Sequence, residues 1–199
     1  MSDQPAAGDE PASNFLTPSE VANLGLASSG VDVQISRDAR LYGASRISIG
    51  NHVRIDAFTL ISAGAAVTIG DYVHIAPFCS LSGSGGIIME DFCGLSGRVS
   101  IYTSSDDYSG RTLTNPTVPP EFKDVTSAQV RLGRHVIIGA GTVLLPGASI
   151  GEGSAVGALS LVTTPLPEWK IFTGNPVRLV GRRRRDLLAL KDRFLEGAP

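Results

Sequence analysis

Residues 49–60 read Ile49-Gly50-Asn51-His52-Val53-Arg54-Ile55-Asp56-Ala57-Phe58-Thr59-Leu60. Two six-residue units lie end to end here, each opening on an aliphatic residue. Ile61-Ser62-Ala63-Gly64-Ala65-Ala66 keeps the period, and after two extra residues Ile69-Gly70-Asp71-Tyr72-Val73-His74 restarts it. The pattern runs on through Ile75, Leu81, Met89 and Leu95, breaks, and resumes as Ile138-Gly139-Ala140-Gly141-Thr142-Val143, then Leu144, Ile150 and Val156.

The period has a direct physical reading. Successive side chains of a strand point to opposite faces, so positions five and one share an inner face around an outward position six. Glycine at position two and polar residues at three and four suit a tight corner. Three strands and three corners close a triangular coil, and stacked coils cover one another's edges. About six coils at ~4.8 Å would make a prism roughly 30 Å tall. The fold predicted is all-β, a parallel β-helix.

The flanks differ in character. Residues 1–14 are small, polar and acidic, and read as a disordered tail with nothing to bury. Residues 15–32 hold a short helix and lead-in: Thr17 is a cap, Pro18 suits the first position, and Glu20 completes a capping box. Val21 and Leu24 would dock on the prism, which spans 33–180. Residues 181–199 read as a C-terminal helix, with Leu187, Leu188, Leu190, Phe194 and Leu195 fitting one face loosely. Between Ile101 and Val130 the period vanishes, and an extruded loop over about 102–129 is expected; loops this long are functional or disordered.

Composition narrows the function. Lys+Arg number 17 against 19 Asp+Glu, so bulk charge points to neither nucleic acid nor a membrane surface. No apolar run reaches the ~18 residues of a membrane span. The first fifteen residues lack the basic start and apolar stretch of a secretory signal, so the expectation is a cytoplasmic protein without stable membrane insertion. Cys79 and Cys93 sit where other units hold Val, Thr or Ala, and read as small buried hydrophobes rather than a disulfide.

This repeat resembles that of the hexapeptide-repeat acyltransferases, in particular the branch of sugar acetyltransferases of surface-polysaccharide and lipopolysaccharide biosynthesis. The resemblance covers about 33–180. It implies a left-handed β-helix, a homotrimer with active sites between subunits, acetyl-CoA as co-substrate, no metal, and a sugar hydroxyl or amine as acceptor. It also implies that Gly139, Ala140, Gly157 and Ala158 line the pantetheine arm, with Thr163 nearby. Thr164 stands where the family has a phosphate-contacting Lys. Arg178, Arg182 and Arg183 would supply positive charge for the nucleotide end.

Three histidines are present. His52 and His135 fall at position four, a corner. His74 falls at position six and faces outward, where neighbouring prisms of a trimer would meet. It is the first candidate for a general base, since neutral imidazole can take a proton from an attacking hydroxyl or amine; His135, directly after the loop, is the second. Galactoside and maltose acetyltransferases carry their catalytic histidine in the loop, and this loop has none. Its Asp106 and Asp107 are candidates for orienting His74 or binding a sugar, with Tyr108 and Asn115 as further acceptor contacts. A γ-type carbonic anhydrase would need three histidines around one zinc. A non-catalytic hexapeptide-repeat scaffold is the other reading weighed.

Overall fold

A computed structural model describes residues 14–197. The tail expected over 1–14 therefore lies almost wholly outside the described residues. The chain winds into a left-handed β-helix of about 7 turns. Face 1 stacks strands Ser28–Ser29, Ile47–Ile49, Val67–Ile69, Ile87–Met89, Val130–Leu132 and Ser149–Ile150. Face 2 stacks Gln34–Ile35, Arg54–Ile55, His74–Ile75, Gly94–Leu95, Ile137–Ile138, Ala155–Val156 and Lys170–Thr173, closed by antiparallel Arg178–Arg182. Face 3 stacks Arg40–Tyr42, Leu60–Ser62, Ser80–Ser82, Ser100–Tyr102, Val143–Leu144 and Leu161–Val162.

Positions five and one form the core. Ile47, Ile55, Ile61, Val67, Ile75, Leu81, Ile87, Ile101, Val130, Leu132 and Ile138 are each 0% exposed. Where a position-five residue of face 3 carries a side-chain donor, it satisfies that donor on a neighbouring carbonyl. Thr59 Oγ1 donates to Ala76 O (3.2 Å), Cys79 Sγ to Ser96 O (3.3 Å), and Thr142 Oγ1 to Gly157 O (3.0 Å). Cys93 is equally buried, and burial pushes its thiol up to about 12.

Glycine at position two has a stacking cause. A Cβ at Gly133 would lie 2.8 Å from Glu152 N, and one at Gly151 2.5 Å from Glu168 N. Each such glycine lets the next coil approach to strand-pairing distance. Position four carries the corner's left-handed residue. Apart from Asn115, every described non-glycine residue with positive φ occupies it: Asp32, His52, Phe58, Tyr72, Phe78, Phe92, Arg98, His135, Leu159 and Trp169.

Below the prism, α1 (Pro18–Ala22) forms with the capping box complete. Glu20 N donates to Thr17 Oγ1 at 3.3 Å, and Thr17 N to Glu20 Oε2 at 2.8 Å. Val21 is buried and Leu24 packs against the core. At the other end α2 (Asp186–Glu196) lies along the corner between faces 1 and 2, where Phe194 meets the Tyr72 ring edge-on at 5.2 Å. The insertion leaves the corner between faces 3 and 1 through its own antiparallel neck, Ser104–Ser105 against Thr126–Ser127. No described helix is long and apolar enough to cross a membrane.

Candidate active site

His74 stands on face 2, where the strand alternation turns it outward between buried Val73 and Ile75. Its Nε2 lies 2.7 Å from Asp56 Oδ2, and Asp56 Oδ1 accepts from Arg54 Nε at 2.7 Å. The Asp56 side chain is 10% exposed and that of His74 52%. Burial acts to raise the Asp56 pKa, but hydrogen bonds from His74 and Arg54 outweigh it and hold the carboxyl below its ordinary value. Because the folded-state value is depressed, this grouping adds stability at neutral pH that is lost as the pH falls through the carboxylate range. A carboxylate at Nε2 fixes the neutral ring with its proton there, leaving the Nδ1 lone pair to act as a base. Gly94 pairs with His74 in the coil above, and the space where its side chain would stand is open.

Asp56 is the residue that reading the sequence did not single out. It occupies position two, where glycine or another small residue is usual, and that anomaly was the available signal. Its effect is to reach up one coil to position six.

The loop gathers the other candidates. Asp106, Tyr108 and Asn115 line one recess of roughly 620 Å³ with Tyr102, Lys123 and Val125. The two adjacent aspartates differ sharply in environment. Asp107 accepts from Ser109 N (2.8 Å), Arg111 N (3.1 Å) and Thr112 N (3.2 Å), and the bonds to Ser109, then Thr112, hold its pKa down. It folds the loop. The Asp106 carboxylate has no partner among the described residues and lines the recess. Asn115 spends its Oδ1 on Thr117 N (3.0 Å) and Thr117 Oγ1 (2.6 Å), while Lys123 Nζ donates to its carbonyl at 2.9 Å. Within one chain, His74 lines a different cleft from this recess, with Arg54, Tyr72 and His52.

His135 is 8% exposed, its ring stacked on Phe92 at 5.0 Å. Burial lowers its pKa. It belongs to a ladder of corner residues, His52 on Tyr72 (4.6 Å) and Tyr72 on Phe92 (4.8 Å), of which Tyr72, Phe92 and His135 face α2 while His52 stays exposed. His135 lies in a separate recess from His74, whereas His52 shares the shallow cleft of His74 and pairs with Asp32 through Nδ1 at 3.2 Å.

Gly139, Ala140, Gly157 and Ala158 form the upper corner between faces 2 and 3. A Cβ at Gly139 would fall 2.7 Å from Gly157 C and closer still to Ala158 N, so this glycine is required by the coil above, whatever passes outside. Thr163, Thr164, Arg178 and Arg182 are exposed near this end. Arg183 is committed elsewhere: its Nη1 donates to the carbonyls of His135 (2.7 Å), Gly153 (3.1 Å) and Ser154 (3.3 Å). Arg184 pairs with Asp186 at 2.6 Å, and Arg185 lies over the Trp169 ring at 4.9 Å.

No family model matches the chain. It is 40% identical over 185 residues to a dTDP-4-amino-4,6-dideoxy-D-glucose acyltransferase of Escherichia coli, spanning 92% of this chain and 96% of that protein. AntD, an N-acyltransferase from Bacillus cereus solved with dTDP and 3-hydroxybutyryl-CoA, is 43% identical with a TM-score of 0.89, covering 92% of this chain and 97% of its own. A variant of AntD with dTDP-4-amino-4,6-dideoxyglucose and coenzyme A is 42% identical with a TM-score of 0.90, covering 94% and 99%. A hexapeptide-repeat acetyltransferase from Vibrio cholerae, 22% identical with a TM-score of 0.59 over 85% of this chain and 80% of its own, shares the fold.

Proposed function

The chain belongs to the hexapeptide-repeat family of sugar acyltransferases, and from that we propose that it moves an acyl group from acyl-CoA to the 4-amino group of a dTDP-linked 4-amino-4,6-dideoxyhexose. The observation that carries this reading is the near-full-length likeness to an acyltransferase of that amino sugar. The unpartnered Asp106 carboxylate supports it, because an amine is the acceptor that a free carboxylate suits.

The working unit in this reading is a homotrimer. Its cleft joins the face and corner of one prism to the loop recess of its neighbour, which brings His74 and Asp106 to one acceptor. Acyl-CoA runs along the corner of Ala140 and Ala158, with Thr163 and Thr164 beside it and exposed Arg178 and Arg182 toward its phosphates. Asp106 holds the amine, and Tyr108 and Asn115 contact the sugar. The amine attacks the thioester carbonyl, a C–N bond forms, and the C–S bond breaks. His74 Nδ1 takes the proton from nitrogen and returns it to the departing thiolate, giving free CoA. Asp56 keeps the ring in the tautomer that leaves Nδ1 open. The setting is the cytoplasm and the product an N-acylated sugar for surface polysaccharide.

The test is thiol release from acetyl-CoA and from 3-hydroxybutyryl-CoA, with the dTDP-linked 4-amino sugar or its 4-hydroxy counterpart. Turnover is expected with the amine alone. Equal rates with the 4-hydroxy sugar, or none with the amine, would overturn the reading.

A further inference from the structure

The corner between faces 2 and 3 carries a second aromatic column, below the small residues Ala140 and Ala158. Phe58 and Phe78 stack with ring centroids 5.0 Å apart and planes 18° from parallel. The Arg98 guanidinium lies over Phe78 at 5.7 Å. All three occupy the left-handed region, with φ of 60°, 64° and 62°. Backbone bonds join the column to the coils above: Phe78 N to Ala57 O, Arg98 N to Pro77 O, Gly141 N to Gly97 O, Leu159 N to Ala140 O.

This column differs from its counterpart at the corner between faces 1 and 2. There the rings of Tyr72 and Phe92 are covered by α2. Here Phe58 is 58% exposed and Phe78 53%. A bulky residue in the left-handed region is strained, and a half-exposed phenylalanine offsets only part of that strain by burial. Arg98 adds a cation at the top of the rings, with no carboxylate partner among the described residues. An apolar ring edge beside a free guanidinium matches a nucleoside diphosphate: base against rings, phosphates against Arg98. The position fits as well. Asp56 lies two residues before Phe58, just past the strand Arg54–Ile55, and His74 four before Phe78, on the strand that runs into this corner.

We propose that Phe58, Phe78 and Arg98 form the binding platform for the pyrimidine nucleoside diphosphate half of the acceptor. This rests on the nucleotide-sugar reading above. One corner then serves both substrates: nucleotide on the lower coils, acyl-CoA on the upper, and reacting groups where they meet.

Calorimetric titration with dTDP alone, on the native protein, Phe78→Ala and Arg98→Ala, tests it, with CoA titrated in parallel and oligomer mass measured by light scattering. The expected result is dTDP affinity reduced about tenfold or more in both variants, the scale of losing a base–aromatic contact or a phosphate-pairing guanidinium. CoA affinity and oligomer mass stay native. Native-strength dTDP binding in both variants overturns the platform while leaving the acceptor assignment intact. Loss of binding together with a fall in oligomer mass also overturns it, because the rings then serve a second copy of the chain. A native protein that binds no dTDP removes the acceptor reading itself, and the platform with it.

Discussion

Acyl transfer falls by two or more orders of magnitude when His74 is replaced by alanine, while CoA affinity stays as it was. That is the scale of a positioned general base, and the exposed ring contributes little to the core that holds the acyl-CoA corner in place. Asp106→Ala acts on the other reactant. It removes the free carboxylate of the recess, so the loss falls chiefly on the KM for the amino sugar. Measuring kcat and KM for both substrates across the two variants separates the roles. Near-native turnover in His74→Ala, with kcat lost in Asp106→Ala, would transfer proton removal to Asp106.

The second large effect is on the scaffold. Gly139→Ala lowers stability by about 1–3 kcal/mol, the usual cost of forcing an extra group into a packed interior. In a domain of this size that is a fall in the thermal midpoint of several degrees. The added Cβ meets the backbone of Gly157 and Ala158, which cannot rotate aside as a side chain would. Ala140→Ser, one residue on, faces no such wall and should melt near the native temperature. Equal melting of Gly139→Ala and the native protein, followed by circular dichroism, would show that the coils can spread. If Gly139→Ala also weakens CoA binding, comparison with Ala140→Ser tells a displaced coil from a blocked arm.

Much of this architecture was legible because a repeat turns sequence position into direction. Position six placed His74 outward, position four placed His52 and His135 at corners, and the capping residues Thr17 and Glu20 placed α1. The coils number about 7 rather than six; the winding begins as early as Ser28–Ser29, ahead of the expected start at 33, where exposed serines carry no aliphatic pattern. What stayed hidden depends on neighbours the repeat does not index. Whether Asp56 meets His74 depends on how many residues the coil between them contains. The lower coils advance by 20 residues, as in Ile47 to Val67 to Ile87, and the upper ones by 18, as in Ile137 to Ala155. The contrast between Asp106 and Asp107 arises in irregular backbone, where a turn consumes one carboxylate and leaves the next. Arg183 looked like a phosphate ligand by charge alone, yet three carbonyls hold it inside.

The neck at Ser104–Ser105 and Thr126–Ser127 closes the insertion on itself before the chain resumes winding, and Ile88 still pairs with Arg131 as Thr68 pairs with Ile88. The coils on either side therefore keep their register whatever hangs from that neck. The insertion is thus a detachable cassette on a spool: its length and sequence can change without shifting the coils that carry His74 above Asp56.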